Sequence, residues 1–449
     1  MTNIFQDSKR CEKETKLSKV AVHILITLFG ISAWIGTNGI FIQTSVLINT
    51  LPESWALPAY LVLVIQAANF GPLFYTILQH FKCKINEFWW ISCLLISGTI
   101  AMGLLSFFYS VTTVIAGNEH SVILFILTFF SALVGCFSSV LFMPYLRNYQ
   151  ENYLISYFIG EGLSGVLPSI VALIQGVGNN SNCTKSQNDT TDFSDLKFSL
   201  KNYFLFIFVI LFLSLSAFVI LECSSFVKKR KNLQKSFGTV SNMKKVNISH
   251  VHYASDMQTN PPLEEDSFLH NNKYLTKQMQ QYLFVLLGTC CFFSNGFFPS
   301  VQSYSCLPYG NIAYQLSITF AQFANPLVCL LAFWLKISSI KIINYMSLIC
   351  LFMGTYVMYL AIMSPNPPLQ TTKLGIVLVV LVWTILIGLI SYLKLIIVSI
   401  FRGTVLPRIL FKVGVIMQTG SASGAIFSFL LINFTSLFVM HNSCASTSN

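Results

Sequence analysis

The chain has 449 residues, of which 54% are hydrophobic and only 10% are charged. Because a soluble globular domain carries about 25% charged residues, this composition excludes a protein that faces water on all sides. The formal net charge of +11 would suit a nucleic-acid-binding protein. The basic residues are instead distributed over the tails and loops between long apolar segments, so no nucleic-acid partner is expected.

Apolar segments of membrane-spanning length recur along almost the whole chain. The hydrocarbon core of a bilayer is about 30 Å thick, so one helical crossing needs roughly 20 apolar residues. Stretches this long predict helices rather than barrel strands, because their backbone groups must be satisfied within the segment. The first and the last are long enough to be broken or strongly tilted. The eleven segments are Val20–Ile48, Ala56–Leu78, Phe88–Ile115, Ser121–Met143, Tyr153–Val177, Tyr203–Leu221, Tyr282–Val301, Ile312–Leu335, Ile342–Met363, Leu374–Phe401 and Ile409–Met440.

These segments predict an all-α, polytopic membrane protein with two bundles of helices. Residues 223–280 are polar and lack helical apolar periodicity, so they predict a flexible cytoplasmic loop. Six spans precede this loop and five follow it. The predicted divisions are a cytoplasmic tail 1–19, a six-helix bundle 20–222 with a glycosylated outer loop 178–202, the loop 223–280, a five-helix bundle 281–440 and an extracellular tail 441–449.

The distribution of Lys and Arg predicts the orientation of the chain. With eleven crossings, 22 of the 27 basic residues fall on one side of the membrane and four on the other. The positive-inside rule therefore places the N-terminus in the cytoplasm and the C-terminus outside. Three N-glycosylation sequons, at Asn179, Asn182 and Asn188, lie in the loop between spans 5 and 6, which this rule places outside.

Three short motifs occur in the same order in both halves of the chain. The pairs are Asn38-Gly39 with Asn295-Gly296, Ala68-Asn69 with Ala324-Asn325, and Glu161 with Gln418. Small residues follow both Glu161 and Gln418. Asn38 and Glu161 are 123 residues apart, as are Asn295 and Gln418. Both halves begin on the cytoplasmic side, so the repeat is parallel. Such a duplication is typical of transporters that bind solute between two bundles and alternate access to it.

Two charged residues lie well inside the predicted spans. Glu161 is the only acidic residue well inside one, and Lys394 is the only basic residue well inside one. A charge near the bilayer centre costs about 2.5–3.5 kcal/mol on insertion scales, so each side chain should face a wet cavity or a partner. The alternative for Glu161 is a structural pair with a neighbouring helix. Lys394 lies within two turns of the cytoplasmic end, so its alternative is extension toward the headgroups.

Neutral amides and aromatic rings complete the candidate site. An amide offers two donors and one acceptor, which suits a neutral polar ligand, although interhelical hydrogen bonding is an equally good explanation for each amide alone. Aromatic faces suit a flat ligand, with interfacial anchoring as the alternative for the tyrosines. The candidates are Asn38, Asn69, Asn295, Asn325, Gln302 and Gln418, with Trp34, Tyr304 and Tyr309.

No motif predicts an enzyme, a metal site or a cofactor. Gly160–Gly165 matches the dinucleotide pattern G-x-G-x-x-G, but it lies inside a predicted membrane helix with no strand before it. The twelve cysteines show no metal or redox spacing. A disulfide among Cys183, Cys306 and Cys444, which fall on or near the outer face, stays open without a preferred pair.

Several stretches of the sequence resemble a known family. The matching stretches include Leu51–Tyr60, Gly160–Gly165 and Ser391–Lys394, and the most specific is Pro299–Gly310. On them the sequence resembles the eukaryotic riboflavin transporters of the solute carrier class. The resemblance implies a plasma-membrane carrier with eleven helices in a six-plus-five arrangement, similar to equilibrative nucleoside transporters.

The leading hypothesis is a monomeric riboflavin carrier. Riboflavin is uncharged at neutral pH, and its flat ring can stack on an aromatic side chain while amides bind its pyrimidine edge. One alternative is a carrier for another neutral polar metabolite, such as a nucleoside. A second alternative is a non-transporting membrane receptor, which would leave the internal duplication unexplained.

Overall fold

The computed structural model describes residues 20–80, 86–115, 117–146, 151–176, 196–223, 276–334, 339–402 and 407–440. Their regular structure is helical, apart from one antiparallel hairpin formed by strands β1 (Thr113–Ile115) and β2 (Asn118–His120). The helices are α1 Val20–Ile31, α2 Ile35–Ile42, α3 Thr44–Thr50, α4 Leu57–Ala68, α5 Phe70–His80, α6 Glu87–Phe108, α7 Val122–Phe137, α8 Met143–Leu146, α9 Glu151–Gln175, α10 Leu200–Cys223, α11 Lys277–Cys291, α12 Phe298–Cys306, α13 Asn311–Trp334, α14 Ile340–Ile362, α15 Lys373–Arg402 and α16 Pro407–Phe434.

The predicted all-α membrane fold is confirmed, but the exact number of eleven spans is not. Within the described residues, eight helical segments are long and apolar enough to cross a bilayer, and the bent pair α1 and α2 raises this to nine. Helix α7 is apolar but has only 16 residues, because a π-helical turn, Ser138–Phe142, follows it. Most of the predicted loop 223–280 lies outside the described residues, and residues 277–280 form the first turn of α11.

Of the two possibilities for the long first span, a break or a strong tilt, the structure shows the break. Helices α1 and α2 meet at an angle of 50°, and the turn between them covers residues 32–34. The Ser32 hydroxyl donates to the Phe29 carbonyl at 2.6 Å, which satisfies a group that the interrupted helix leaves free. The last span has no such break, since α16 is one continuous helix to Phe434.

The prediction that the third span extends to Ile115 is wrong. Helix α6 ends at Phe108, and residues 113–115 form β1 instead. The segment 111–115 is apolar enough to pass as membrane helix, but it reads Val-Thr-Thr-Val-Ile. Such β-branched side chains favour extended backbone. The hairpin marks one end of the molecule, called the hairpin end below.

Residues far apart in sequence fix the start of α7. Ser121, the residue before this helix, donates to Glu53 through its backbone N at 2.7 Å and through its hydroxyl at 2.8 Å. His120 Nδ1 lies 3.5 Å from the same carboxylate. The buried Glu53 therefore caps a helix whose preceding residue is 68 positions away in the sequence, and it ties the hairpin to the segment between α3 and α4.

Glycines allow equivalent helices in each half to pack closely. A Cβ on Gly160 of α9 would lie 2.1 Å from the Thr27 carbonyl oxygen of α1. In the second half, a Cβ on Gly420 of α16 would lie 2.4 Å from the Gly288 carbonyl oxygen of α11. Only glycine fits either place, which agrees with the small residues that membrane helix interfaces use.

Helices from the two halves of the chain, residues 20–223 and 276–440, meet along one interface. Helix α4 packs against α12 and α16, and α9 packs against α13. The polar residues predicted for the site lie on or beside these helices, so the interface positions them.

Candidate functional site

A polar network surrounds Lys394 of α15. Its Nζ donates to Ser294 Oγ at 3.0 Å and to Asn295 Oδ1 at 3.1 Å. Asn295 donates from Nδ2 to Ser421 Oγ of α16 at 3.1 Å. Ser294 and Asn295 lie in a π-helical segment, Phe292–Phe297, a type of turn that often marks functional sites. The two predicted site residues Asn295 and Lys394 are therefore in direct contact.

The first half of the chain contains the matching contact. Asn38 of α2 donates from Nδ2 to Ser164 Oγ of α9 at 3.4 Å. Both the Asn38–Ser164 pair and the Asn295–Ser421 pair are separated by 126 residues. The repeated sequence motifs thus make the same side-chain contact in each half. The serines follow Glu161 and Gln418 by three residues, and sequence reasoning did not select them.

A glutamine from the first half reaches the second. Gln66 of α4 accepts a hydrogen bond from Asn69 Nδ2 at 2.9 Å. Its own Nε2 donates to the backbone oxygen of Asn295 at 3.5 Å. Gln66 is buried, and it links the predicted residue Asn69 to the network around Lys394.

A glutamine from the second half occupies the reciprocal place. Gln322 Oε1 of α13 lies 2.7 Å from the point that a Cβ on Gly165 would occupy, and Asn38 Nδ2 lies 3.5 Å from that same point. Each half therefore places a glutamine beside the asparagine of the other half. The motif Gln-x-Ala-Asn, at 66–69 and 322–325, is the signal that could have identified both glutamines.

Three of the predicted charged and amide residues have no side-chain hydrogen-bond partner within the described parts of the chain. Glu161 and Gln302 are half-buried and Gln418 is exposed. Glu161 accepts a bond only through its backbone oxygen, from Ser164 Oγ at 2.6 Å. The predicted alternative of a structural ion pair for Glu161 finds no partner among these residues. Its carboxyl group is therefore available to bind a ligand or a proton.

Other predicted residues have partners outside this network. Trp34 lies in the turn between α1 and α2, and a Cβ on Gly135 would lie 2.7 Å from its ring. Asn325 accepts a hydrogen bond from Ser391 Oγ at 2.7 Å, one turn before Lys394 on α15. Tyr309 is buried near the hairpin end, and its hydroxyl donates to the Pro368 oxygen at 2.7 Å. Tyr309 is therefore anchored away from the network.

A second polar cluster lies between the halves near the hairpin end, and we call it the latch (Gln43, Thr44, Ser45, Tyr314 and Gln315). Ser45 Oγ donates to Gln315 Oε1 at 2.7 Å, and the hydroxyls of Thr44 and Tyr314 are 3.1 Å apart. All five residues are buried. Among the described residues, Gln43 Oε1 and Gln315 Nε2 find no hydrogen-bond partner. Sequence reasoning missed this cluster.

The latch belongs to a set of contacts that close one end of the molecule. The described residues form five side-chain hydrogen bonds between the halves, and each lies at Asn295 or nearer the hairpin end. Two of them, from Ser303 Oγ to the Trp55 oxygen at 2.8 Å and from the Tyr60 hydroxyl to Asn433 at 3.1 Å, flank the latch. The halves are joined on the hairpin side of the network.

The described residues do not test the glycosylation and disulfide predictions. Asn179, Asn182 and Asn188 lie outside the described residues, as do Cys183 and Cys444. Cys306 is a buried free thiol within 3.6 Å of Ser317 Oγ. The described part of the chain has no cluster of three His, Cys, Asp or Glu side chains that could hold a metal ion.

The arrangement defines a class of protein. An interface of two helical halves, lined by amides, hydroxyls and one ammonium, can bind a polar solute through hydrogen bonds. Solved structures share the fold: the nucleoside transporter NupG matches with a TM-score of 0.51 and 15% identity over 92% of this chain and 89% of its own. A bacterial homolog of the human lysosomal transporter Spinster matches with a TM-score of 0.51 and 15% identity, over 92% and 81%. Both neighbours are titled as transporters, and the likeness shows that this chain shares their helical membrane fold.

Sequence comparison gives the family. Residues 18–440 match the family model "Solute carrier family 52, riboflavin transporter". The zebrafish (Danio rerio) riboflavin transporter member 3-A is 36% identical, over 94% of this chain and 98% of its own length. The human member 2 is 31% identical, over 96% and 98%. The chain belongs to the riboflavin transporter family of solute carriers.

Proposed function

We propose that this chain imports riboflavin across the plasma membrane by alternating access between its two halves. The observation that carries the proposal is the network of Asn38, Asn69, Asn295 and Lys394 at the interface of the halves, in a chain of this family. Its relatives are named riboflavin transporters. An uncharged ring with carbonyl groups and a polyol chain matches a site of amides, hydroxyls and one ammonium.

The predicted site residues take roles that follow from their chemistry. Asn38, Asn69, Asn295, Asn325, Gln302 and Gln418 supply amide donors and acceptors, Glu161 and Lys394 supply the charged groups, and Trp34 supplies an aromatic face. Tyr309 has no part in this site, because it is anchored near the hairpin end. Gln66 and Gln322 join them because they reach across the interface. One chain contributes both sides of the site, so the carrier acts as a monomer.

The contacts between the halves support an inward-facing arrangement. The positive-inside distribution assigns the hairpin end to the outside and the N-terminus to the cytoplasm. Every described hydrogen bond between the halves lies on the hairpin side of Lys394 or at its level. Separation of these contacts and closure at the opposite end would then expose the network to the outside.

Uptake of radiolabelled riboflavin by cells expressing the chain tests the function. We expect saturable uptake that unlabelled riboflavin and lumiflavin inhibit and that uridine does not. Inhibition by uridine instead would favour the nucleoside alternative. High-affinity binding without flux into sealed vesicles would favour the receptor. Absence of saturable riboflavin uptake by protein at the cell surface would refute the proposal.

The orientation has its own test. If the loop 178–202 is outside, glycosidase treatment lowers the apparent mass of the protein, and replacement of Asn179, Asn182 and Asn188 by Gln abolishes that change. A tag on the N-terminus should be stained by antibody only after the cells are permeabilised. Staining of intact cells would contradict the assigned orientation and the location of the hairpin end.

A further inference from the structure

Lys394 has binding capacity that the protein does not use. An ammonium group has three N–H donors and no acceptor. Two of the donors are directed to Ser294 and Asn295, and no carboxylate of the described residues pairs with Lys394. A cation inside a membrane span with one spare donor needs an electron-rich partner. The protein holds this donor at a fixed place, because Asn295 is itself bound to Ser421.

The charges of the site are asymmetric although its amides are matched. The repeated pairs are offset by 256 or 257 residues, and the residues that many positions before Lys394 are Ser138 and Phe137, neither of which is charged. Phe137 packs in an apolar cluster with Tyr75 and is buried. Conversely, the carboxyl group of Glu161 in the first half corresponds to the neutral Gln418 in the second. The second half therefore carries the cation and the first half the acid.

We infer that this asymmetry orients the flavin, with the carbonyl edge of the ring at Lys394 and the ribityl chain at the first half. The inference rests on the proposed function. The ring carries two carbonyl oxygens beside one N–H, and these oxygens accept from an ammonium. The ribityl hydroxyls donate, and the carboxyl group of Glu161 and the amides of Asn38 and Gln322 accept from them. Asn295 is a positioning residue, because its side chain is occupied by Lys394 and Ser421.

Two ligands separate the two ends of the substrate. Riboflavin has the ring and the ribityl chain, whereas lumiflavin has the ring with a methyl group in place of that chain. The measured quantities are the KM of riboflavin uptake and the inhibition constant of lumiflavin, both at equal surface expression. Lys394→Met removes the charge and keeps the length of the side chain. Thr384→Val on the same helix is the matched control, because Thr384 bonds only the Val380 oxygen of its own helix.

Lys394→Met should raise both constants by the same factor, about 10-fold or more, since a hydrogen bond to a charged group is lost with either ligand. Asn38→Ala should raise the KM of riboflavin about 5-fold or more and leave the inhibition constant of lumiflavin unchanged. Thr384→Val should change neither constant.

Other outcomes would overturn the assignment. A Lys394→Met protein that loses maximal rate with both constants unchanged would give Lys394 a structural or gating role. A rise in the inhibition constant of lumiflavin with Asn38→Ala would place the ring at the first half. The Asn38→Ala measurement decides the question even where Lys394→Met fails to reach the surface. Failure of the parent protein to take up riboflavin would refute the proposed function itself, whereas these ratios test only the orientation.

Discussion

Glu161 and Gln418 occupy equivalent places in the repeat, and this bears on what the carboxyl group does. An amide occupies the equivalent place in the second half. Gln418 is followed three residues later by Ser421, as Glu161 is by Ser164. The difference between the two places is one ionisable proton. We therefore expect Glu161 to link transport to pH rather than to hold the fold together.

The first prediction concerns Glu161→Gln. An amide keeps the shape and hydrogen-bonding capacity of the carboxylic acid but cannot exchange a proton. Uptake by the parent protein should rise as the outside becomes more acidic, because protonation neutralises a charge that is costly at membrane depth. The variant should show uptake that does not change with pH. Initial rates across a range from neutral to mildly acidic pH measure this.

The matched control is Gln418→Glu, which adds a carboxyl group at the equivalent place of the second half. It should leave the pH dependence of the parent in place. An unchanged pH dependence in a well-expressed Glu161→Gln protein would remove Glu161 from proton coupling.

At the residue scale, sequence reasoning identified polar residues that depart from an apolar background. Asn295 and Lys394 were found this way, and they are in contact. Gln66, Gln322 and the two serines Ser164 and Ser421 were missed. The serines were missed because hydroxyls in membrane helices commonly bond their own backbone. The hydroxyls of Ser164 and Ser421 donate to the backbone oxygens of Glu161 and Met417. They also accept hydrogen bonds from the side-chain amides of Asn38 and Asn295. Only their place opposite the asparagines separates them from the rest.

Equivalent helix pairs in the two halves both depend on glycines for close packing. Gly420 of α16 has no room for a methyl group, because its Cβ would lie 2.4 Å from the Gly288 oxygen. Gly414 lies on the same helix, two turns earlier, and a Cβ there would meet nothing within 4 Å. The two glycines give a matched pair with opposite surroundings.

The second prediction compares Gly420→Ala with Gly414→Ala. Gly420→Ala should lower stability by about 1–3 kcal/mol, because the added methyl group forces α16 away from α11. Gly414→Ala should be neutral or stabilise by up to about 1 kcal/mol, because alanine is the better helix former. Thermal unfolding of the purified protein in detergent measures the difference. Equal midpoints for the two variants would show that this contact does not hold the helices together.

At the element scale, apolar length predicted the helices well and their ends poorly. The segment 111–115 satisfied a hydropathy criterion although its backbone is extended. The end of a span depends on partners elsewhere in the chain, as the cap that Glu53 provides for α7 shows. The break at residues 32–34 was expected only because the apolar run was too long for one crossing.

At the scale of the whole molecule, the repeat predicted two related halves but not the end at which they meet. The latch lies at that end, and the spacing of its residues follows no motif. Alternating access requires that closed and open arrangements both be accessible to one sequence. The unpaired amide groups of Gln43 and Gln315 fit this requirement, because each unsatisfied buried group weakens the closed arrangement.

The third prediction concerns the latch. Ser45→Ala removes the hydrogen bond to Gln315 Oε1 and leaves both polar groups of that buried amide without a partner. Closure at the hairpin end should become less favourable by about 1–3 kcal/mol, which raises the open population about 5-fold or more. Ser303→Cys provides the reporter, since Ser303 is buried against the Trp55 backbone of the other half. The measurement is the rate at which a membrane-impermeant maleimide labels intact cells.

Two comparisons make this measurement specific. The protein without Ser303→Cys gives the labelling of the native cysteines, which is subtracted. Gln370→Ala breaks a bond at the same end, to the Pro308 oxygen, within the second half alone, so it should not accelerate labelling. If Ser45→Ala leaves the rate unchanged, the latch does not control opening. If Gln370→Ala accelerates labelling equally, the hairpin end responds to loosening in general, and the bonds between the halves have no special part in alternating access.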